Sequence, residues 1–486
     1  MHGRLLHFKK RGSAFRIFRI SPSHRFMSQT KHFHFIGICG TAMGSAAAAF
    51  RQLGHKITGS DNAVYPPMST MLESHGIEIA SGYKAENLPD DADMYVVGNA
   101  VSRGNPEVEA LLERKLPYTS LPELLKWEVM QGKRNFVVSG THGKTTTTSI
   151  LTWLLEHAGK NPGYLIGGVP DNFDVGARYS DSECFVIEGD EYDTAFFDKR
   201  SKFLHYLPEA VIVNNIEFDH ADIFNTLDDI LLTFSRLLRV VPRNGKVFLN
   251  GDEANCRKLL EACPAPAVTV GTGEDCEVRL RVTSAAPEHT DFELNGVAFR
   301  LPMVGEFNAR NAAMAICVAR FAGLSDSDIR AALLEFRGVK RRQTERGKVH
   351  GITIIDDFGH HPTAIRETLR GLRQKYPQSR LWALFEPRSN TSRRNTLQGE
   401  LIDALKEADG SIIAAVNMPE KVPAGQLLDV DAVAAAVSAS GRPSYHERNV
   451  DAIIERLKPL AKEGDVVIVF SNGGFEGIHG KLMDRL

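Results

Sequence analysis

Residues 135–149 read N-F-V-V-S-G-T-H-G-K-T-T-T-T-S, and their types and spacing suit the binding of phosphate. The apolar run 136–138 has the pattern of a buried strand. Small residues follow it (Ser139, Gly140, Thr141, His142, Gly143), and 144–155 then carries helix-like apolar spacing. In such a strand–turn–helix unit, backbone N–H groups converge at the turn and the helix N-terminus adds partial positive charge. Lys144 would reach the terminal phosphates of a nucleotide, and the Thr145 hydroxyl would bind Mg²⁺. The string is G-x-x-G-K-T, a short form, because Val138 stands where a longer phosphate loop has its first glycine. An ordinary αβ turn also carries such a string. The strand before it and the helix after it favour nucleotide phosphate.

Further groups of polar residues lie at the ends of apolar runs. E-C-F-V-I-E-G-D-E (183–191) runs into carboxylates, and Glu188 is placed to hold Mg²⁺, an ion that prefers oxygen ligands. A-V-I-V-N-N-I (210–216) runs into E-F-D-H, which brings His220 after Asn215 and Asp219. In V-G-E-F-N-A-R-N-A-A-M-A (304–315), Asn308 and Asn311 fall on one helix face, and their amides suit an adenine edge. Upstream, H-F-H-F-I-G-I-C-G-T-A-M-G (32–44) and K-I-T-G-S-D (56–61) make a β-turn-α-β pattern with Asp61 after the second strand. The spacing of Gly37, Gly40 and Gly44 is not G-x-G-x-x-G, so a nucleotide diphosphate fits better than a nicotinamide dinucleotide. The run 94–97 ends in G-N-A-V-S-R-G-N-P, where Asn99, Ser102 and Arg103 could address phosphate or sugar or simply decorate a loop.

The elements that must position these groups form a repeating plan. Runs at 352–362, 381–391, 411–416 and 465–475 each end in polar or glycine residues, the pattern of a doubly wound α/β sheet. A glycine and a basic stretch within 335–344 mark a boundary. With 486 residues there is room for about three domains. The expected fold is α/β with three domains, each a mostly parallel sheet flanked by helices. These are a Rossmann-like 31–132, a central phosphate-loop domain 133–340 and a Rossmann-like 341–486.

A hydrophobic share of 43% and a net charge of -2 describe a globular chain with no general attraction to nucleic acid. Seven Lys or Arg and no carboxylate fall in residues 1–30, and the first acidic residue is Asp61. The remaining 51 basic against 60 acidic residues leave the body near -9. This basic start suits a transit peptide or, better, a translation start placed upstream of Met27, and it is expected to be loose. Six cysteines without a C-x-x-C pair suit a reducing compartment, and no apolar run is long enough to insert into a membrane.

Taken in order, G-T-H-G-K-T-T-T, E-G-D-E, N-I-E-x-D-H, G-x-x-N-x-x-N, R-R and D-D-F-G-H-H-P resemble the Mur ligase family, the ATP-dependent amide-forming enzymes of peptidoglycan synthesis. The resemblance runs from about His32 to Leu486. D-D-F-G-H-H-P and the 32–44 turn resemble the branch whose acceptor is UDP-N-acetylmuramate. V-Y-P-P-M-S-T, G-N-A-V-S-R-G-N-P, E-F-D-H-A-D-I-F, F-E-P-R-S-N-T and S-N-G-G-F-E-G-I-H-G-K-L resemble members that attach the murein tripeptide L-Ala-γ-D-Glu-meso-diaminopimelate to it in recycling.

That resemblance implies a cytoplasmic enzyme, a monomer or weak homodimer, using ATP and Mg²⁺. Gly37, Cys39, Gly40, Thr41 and Met43 would hold the UDP pyrophosphate, with Asp61 near the uridine and Asn99, Ser102 and Arg103 beside the sugar. Gly140, Thr141, His142, Gly143, Lys144, Thr145 and Thr146 would line ATP, with Asn308 and Asn311 at the adenine. Thr145 and Glu188 would hold one Mg²⁺, and His220 would help hold a second. Arg342 and Asp357 would reach across the cleft, and Lys144, His220, Arg342 and Asp357 make the catalytic set. His360, Arg388, Ser389 and Asn390 would meet the peptide. Several relatives carry a carbamylated lysine about fifteen residues beyond the His220 position, whereas here no lysine lies between Lys202 and Lys246. Rival readings are the same chemistry with free L-alanine, which wants a small closed pocket at F-E-P-R-S-N-T, a nicotinamide oxidoreductase, and a non-catalytic nucleotide sensor.

Overall fold

In the computed structural model, residues 30–66 and 68–486 are described, so the basic start at 1–29 lies outside the described residues. The chain forms three main sheets. The first is a five-stranded parallel sheet ordered Glu78–Ser81, Lys56–Asp61, His32–Ile36, Met94–Val97, Tyr118–Ser120. Strand order reverses beside His32–Ile36, and a crevice opens there at the C-terminal strand ends. The glycine turn 37–40 and the loop after Val97 meet at that point.

The central sheet has ten strands. Its middle strand, Arg134–Ser139, is flanked by Cys184–Gly189 and Pro208–Val213, both parallel to it. All three are apolar runs buried on both faces, as a helix-covered parallel sheet requires. Ser139 pairs with Gly189 on one side and Val213 on the other. The phosphate loop, the acidic cluster and the Asn214–His220 loop therefore leave the sheet side by side.

Both edges of this mostly parallel sheet are antiparallel, Ala177–Arg178 against Gly163–Leu165 at one and a meander at the other. Val278–Ala285, Thr290–Leu294 and Val297–Leu301 form an antiparallel meander. Asn295 and Gly296 both have positive φ, +49° and +81°, the backbone of a tight hairpin whose twist matches its strands.

The third sheet runs Thr344–Val349, Ile352–Asp357, Val466–Phe470, Leu381–Phe385, Gly410–Ala414, Ser444–Glu447, with Thr344–Val349 antiparallel and the rest parallel. The loops 358–361, 471–473 and 386–391 leave adjacent strand ends and face the central site. Among the described residues no helix is long and apolar enough to cross a membrane.

Candidate active site

The helix Lys144–His157 is almost wholly buried although it opens K-T-T-T-T-S. Its hydroxyls fold back on the helix: Thr148 donates to the Lys144 carbonyl, Ser149 to Thr145 and Thr152 to Thr148. These three hydroxyls are satisfied within the helix itself. Gly143 precedes the helix at φ +79°, and a Cβ there would lie 2.5 Å from Asn311 Oδ1 and 3.0 Å from Asn214 Nδ2. Gly143→Ala is thus expected to cost about 1–3 kcal/mol, with loss of nucleotide binding. Thermal melts and an ATP titration check this, and wild-type values in both would contradict it.

The turn amides are not all open. Thr141 N–H donates to the Asn215 carbonyl and His142 N–H to Asn215 Oδ1 at 2.7 Å. The first helical bond is Thr147 N–H to the Gly143 carbonyl. The donors left for an anion include Gly143 and those of the helix start, at Lys144, Thr145 and Thr146.

Lys144 folds back over this turn, donating to the Gly140 carbonyl at 2.6 Å and to Glu191 Oε2 at 3.0 Å. Burial works against its ammonium, and Glu191, then Asp190, outweigh burial and raise its pKa. Glu191 is 2% exposed and also meets His220 Nε2 at 3.2 Å through its other oxygen. Burial pushes the Glu191 carboxyl up, but Lys144 and His220 hold it at about 2. Conversely His220, against its own burial, is raised to about 9 by its bond to Glu191. Glu191 thus binds two expected site residues together, and the sequence pattern had pointed to Glu188 instead.

Glu188 makes the other half of the site. Its Oε2 accepts from the Thr145 hydroxyl at 3.1 Å, and its Oε1 accepts from Gly167 N–H at 2.7 Å. Arg342 Nη2 donates to the same Thr145 oxygen at 3.3 Å, so the hydroxyl joins the central sheet to the C-terminal one. Burial, then the charge of Asp190, pushes the Glu188 carboxyl up to about 6. A buried hydroxyl and a carboxylate short of positive charge are a donor set that fits Mg²⁺, which takes oxygen ligands. His220 stands on Glu191 rather than in this pair.

Arg342 is aimed by its flanks. Arg341 and Gln343 have φ of +62° and +54°, a conformation held by Asp357. Asp357 Oδ2 accepts from Gln343 N–H at 2.9 Å and Oδ1 from Gly359 N–H at 2.7 Å, and Phe358 N–H donates to the Arg341 carbonyl. The Arg342 guanidinium lies over the Phe358 ring at 5.0 Å. Asp357 is 4% exposed, and both its oxygens are engaged in fixing the linker.

Asn308 and Asn311 are also buried. Asn308 Nδ2 donates to the Val304 carbonyl at 2.8 Å, and Asn311 packs against Gly143 under the phosphate loop. In the first sheet, Asp61 Oδ2 accepts from Cys39 N–H at 2.8 Å and Oδ1 from Ala63 N–H, which holds the turn bearing Gly37, Gly40, Thr41 and Met43. Asn99 donates across to Asp193, Ser102 is exposed, and Arg103 forms a two-pronged exposed pair with Glu109. Arg103 is thus tied locally and not gathered at the turn.

On the C-terminal side, His360 sits 3.8 Å from Asp219 and shares a pocket with Ser389 and Thr391. Burial lowers the His360 pKa. Asn390 is exposed. Arg388 lies across Gly473, where a Cβ would collide with its side chain, and its guanidinium is 3.7 Å from buried Glu386. His142, Glu217 and His361 form a further cluster that sequence reasoning missed.

Comparison with known proteins fits this geometry. Residues 32–133 match the model described as Mur ligase family, catalytic domain; 138–319 match Mur ligase middle domain; and 341–473 match Mur ligase, glutamate ligase domain. The chain is 43% identical, over 93% of its length and 98% of the relative's, to the UDP-N-acetylmuramate–L-alanyl-γ-D-glutamyl-meso-2,6-diaminoheptandioate ligase of Escherichia coli. A UDP-N-acetylmuramate–L-alanine ligase from Dechloromonas aromatica is 32% identical over 94% of the chain and 99% of the relative. The crystal structure of a murein peptide ligase from Psychrobacter arcticus superposes with a TM-score of 0.72 at 38% identity, covering 94% of this chain and 98% of that one.

Proposed function

The chain belongs to the Mur ligase family, and on that premise we propose that it joins L-Ala-γ-D-Glu-meso-diaminopimelate to the lactyl carboxylate of UDP-N-acetylmuramate, with ATP converted to ADP and phosphate. The observation that carries the tripeptide over free alanine is Arg388, whose side chain is 40% exposed at the C-terminal strand ends beside the cleft. A guanidinium fork held there suits a peptide carboxylate, whereas alanine wants a small closed pocket. The 43% identity to the tripeptide ligase against 32% to the alanine ligase supports the same choice.

In this reading the lactyl carboxylate attacks the γ-phosphate, giving an acyl phosphate and ADP. The peptide amine then attacks the acyl carbon and phosphate leaves. Lys144 moves from Glu191 onto the transferring phosphoryl oxygens, and Arg342 adds a second cation from the C-terminal side. Thr145 and Glu188 would hold Mg²⁺, which when bound neutralises phosphate charge. Glu191 holds Lys144 beside the turn until it moves, and keeps His220 in place. The Asn311–Gly143 contact shapes the helix start under the nucleotide, and Asp61 supports the turn that would hold the UDP pyrophosphate. Bonds across the cleft, including Ala221 N–H to Thr391 Oγ1 at 3.2 Å, keep acyl phosphate and amine together and out of water.

Phosphate release from ATP with Mg²⁺ and UDP-N-acetylmuramate tests the proposal. Release is expected with the tripeptide and not with free L-alanine. Release with alanine alone would overturn the substrate, and silence with both would leave a nucleotide sensor.

A further inference from the structure

His142, Glu217 and His361 come from three separate loops and converge in the cleft, with one potential ligand atom each, all within 4.8 Å of one another. His142 belongs to the phosphate loop, Glu217 follows the strand Pro208–Val213, and His361 follows the strand Ile352–Asp357. Glu217 Oε2 is the hub, 2.8 Å from His142 Nε2 and 3.4 Å from His361 Nδ1. The two imidazoles lie face to face at a tilt, with centroids 4.3 Å apart. None of the three takes part in the Thr145–Glu188 pair.

The protonation of His361 follows from its partners. Its Nε2 lies 3.3 Å from the Phe218 carbonyl, which can only accept, so Nε2 carries the proton. Its Nδ1 accepts from Thr363 N–H at 3.3 Å, so Nδ1 presents a lone pair. That nitrogen, whose lone pair is shared with a long Thr363 bond, lies 3.4 Å from a carboxylate oxygen with no hydrogen between them. A cation between them resolves the contact.

The surroundings have the form of a metal site. Metal-bound histidines characteristically donate their other ring N–H to a carbonyl, as His361 does to Phe218, and ligating carboxylates are themselves hydrogen-bonded. Glu217 Oε1 accepts from the Thr363 hydroxyl at 3.0 Å. Further negative charge is close: Asp219 acts on His361 and Glu253 on Glu217.

We propose that His142, Glu217 and His361 form a three-ligand site for a divalent ion of the zinc class, joining the phosphate loop to the C-terminal sheet. Two imidazoles and one carboxylate select such an ion over Mg²⁺. A tetrahedral ion about 2.1 Å from each donor sets donors about 3.4 Å apart. The Glu217–His361 edge already has that length, and the His142–Glu217 contact, a hydrogen bond from Nε2–H without the ion, has to open by about 0.6 Å as that proton moves to Nδ1. The ion replaces the long Thr363 bond and leaves a fourth position for water.

Co²⁺ is the probe, titrated without nucleotide into the full chain. One equivalent is expected to bind with the visible band of four-coordinate cobalt, and Zn²⁺ is expected to displace it and raise the melting midpoint. His361→Gln and Glu217→Gln should each remove the band and the Zn²⁺ shift, with circular dichroism confirming that they fold, while Glu188→Gln keeps both. No binding, a band that survives both substitutions, loss of the band in Glu188→Gln, or thiolate charge-transfer absorption from one of the cysteines overturns the site.

Discussion

Lys144→Met lowers the rate of phosphate release by about a thousandfold or more under saturating substrates. Its ammonium lies over the phosphate turn, 13% exposed between the Gly140 carbonyl and Glu191, from where it can swing onto an incoming phosphoryl group. Methionine fills most of the same volume, so the substitution removes charge with little change in packing. Glu191 would lose one partner and keep the other, since His220 still meets it at 3.2 Å. The fold should therefore survive, with a modest drop in melting temperature from the half-paired buried carboxylate. ATP affinity should fall far less than turnover, because the helix-start amides and the Thr145 side remain. Single-turnover phosphate release separates these effects. A rate within tenfold of wild type would show that Lys144 serves Glu191 and not the phosphoryl group.

The parts of this site that could be read in the chain are those carried by local pattern. The apolar run at 136–138, the small residues after it and the lysine at 144 define a strand, a turn and a helix start with no reference to the rest of the molecule. Glu188 and Thr145 were paired from the chemistry of Mg²⁺, and they lie 3.1 Å apart. Glu191 was not singled out, although it stands in the same E-G-D-E string. The choice between Glu188 and Glu191 depends on which way each side chain leaves the strand end and on what another loop brings to it.

The same holds for Asp61 and Asp357. Each sits where a ligand contact is expected, and each carboxylate accepts two backbone N–H groups that hold a loop. A carboxylate that binds a ligand and one that secures a turn are the same residue in a sequence. The partners of Glu217 are equally invisible, since His361 lies 144 residues away and the contact is set by how two sheets meet. The antiparallel meander is different. Asn295-Gly296 and the alternation T-D-F-E-L at Thr290–Leu294, whose burial has period two, are local signals of a hairpin and need no distant partner to be read.

Arg388→Ala should reduce kcat/KM for the tripeptide by on the order of a hundredfold, since a charge-assisted hydrogen bond contributes about 1.5–3 kcal/mol. The effect should fall on the KM of the peptide and spare those of ATP and UDP-N-acetylmuramate. The side chain is laid out for this by its neighbours. Arg388 N–H donates to Ser392 Oγ, the stem crosses Gly473 where any larger residue would collide, and Glu386 holds the guanidinium at 3.7 Å. Glu386 is itself fixed by the Ser471 hydroxyl at 2.5 Å. Arg388→Lys keeps the charge and loses the planar fork, so it should recover only part of the loss. Gly473→Ala, which retains the arginine but displaces its side chain, should raise the same KM without touching the charge. If instead Arg388→Ala raises the KM of ATP and leaves that of the peptide alone, the guanidinium serves the nucleotide, and the tripeptide must be recognised from elsewhere in the C-terminal loops.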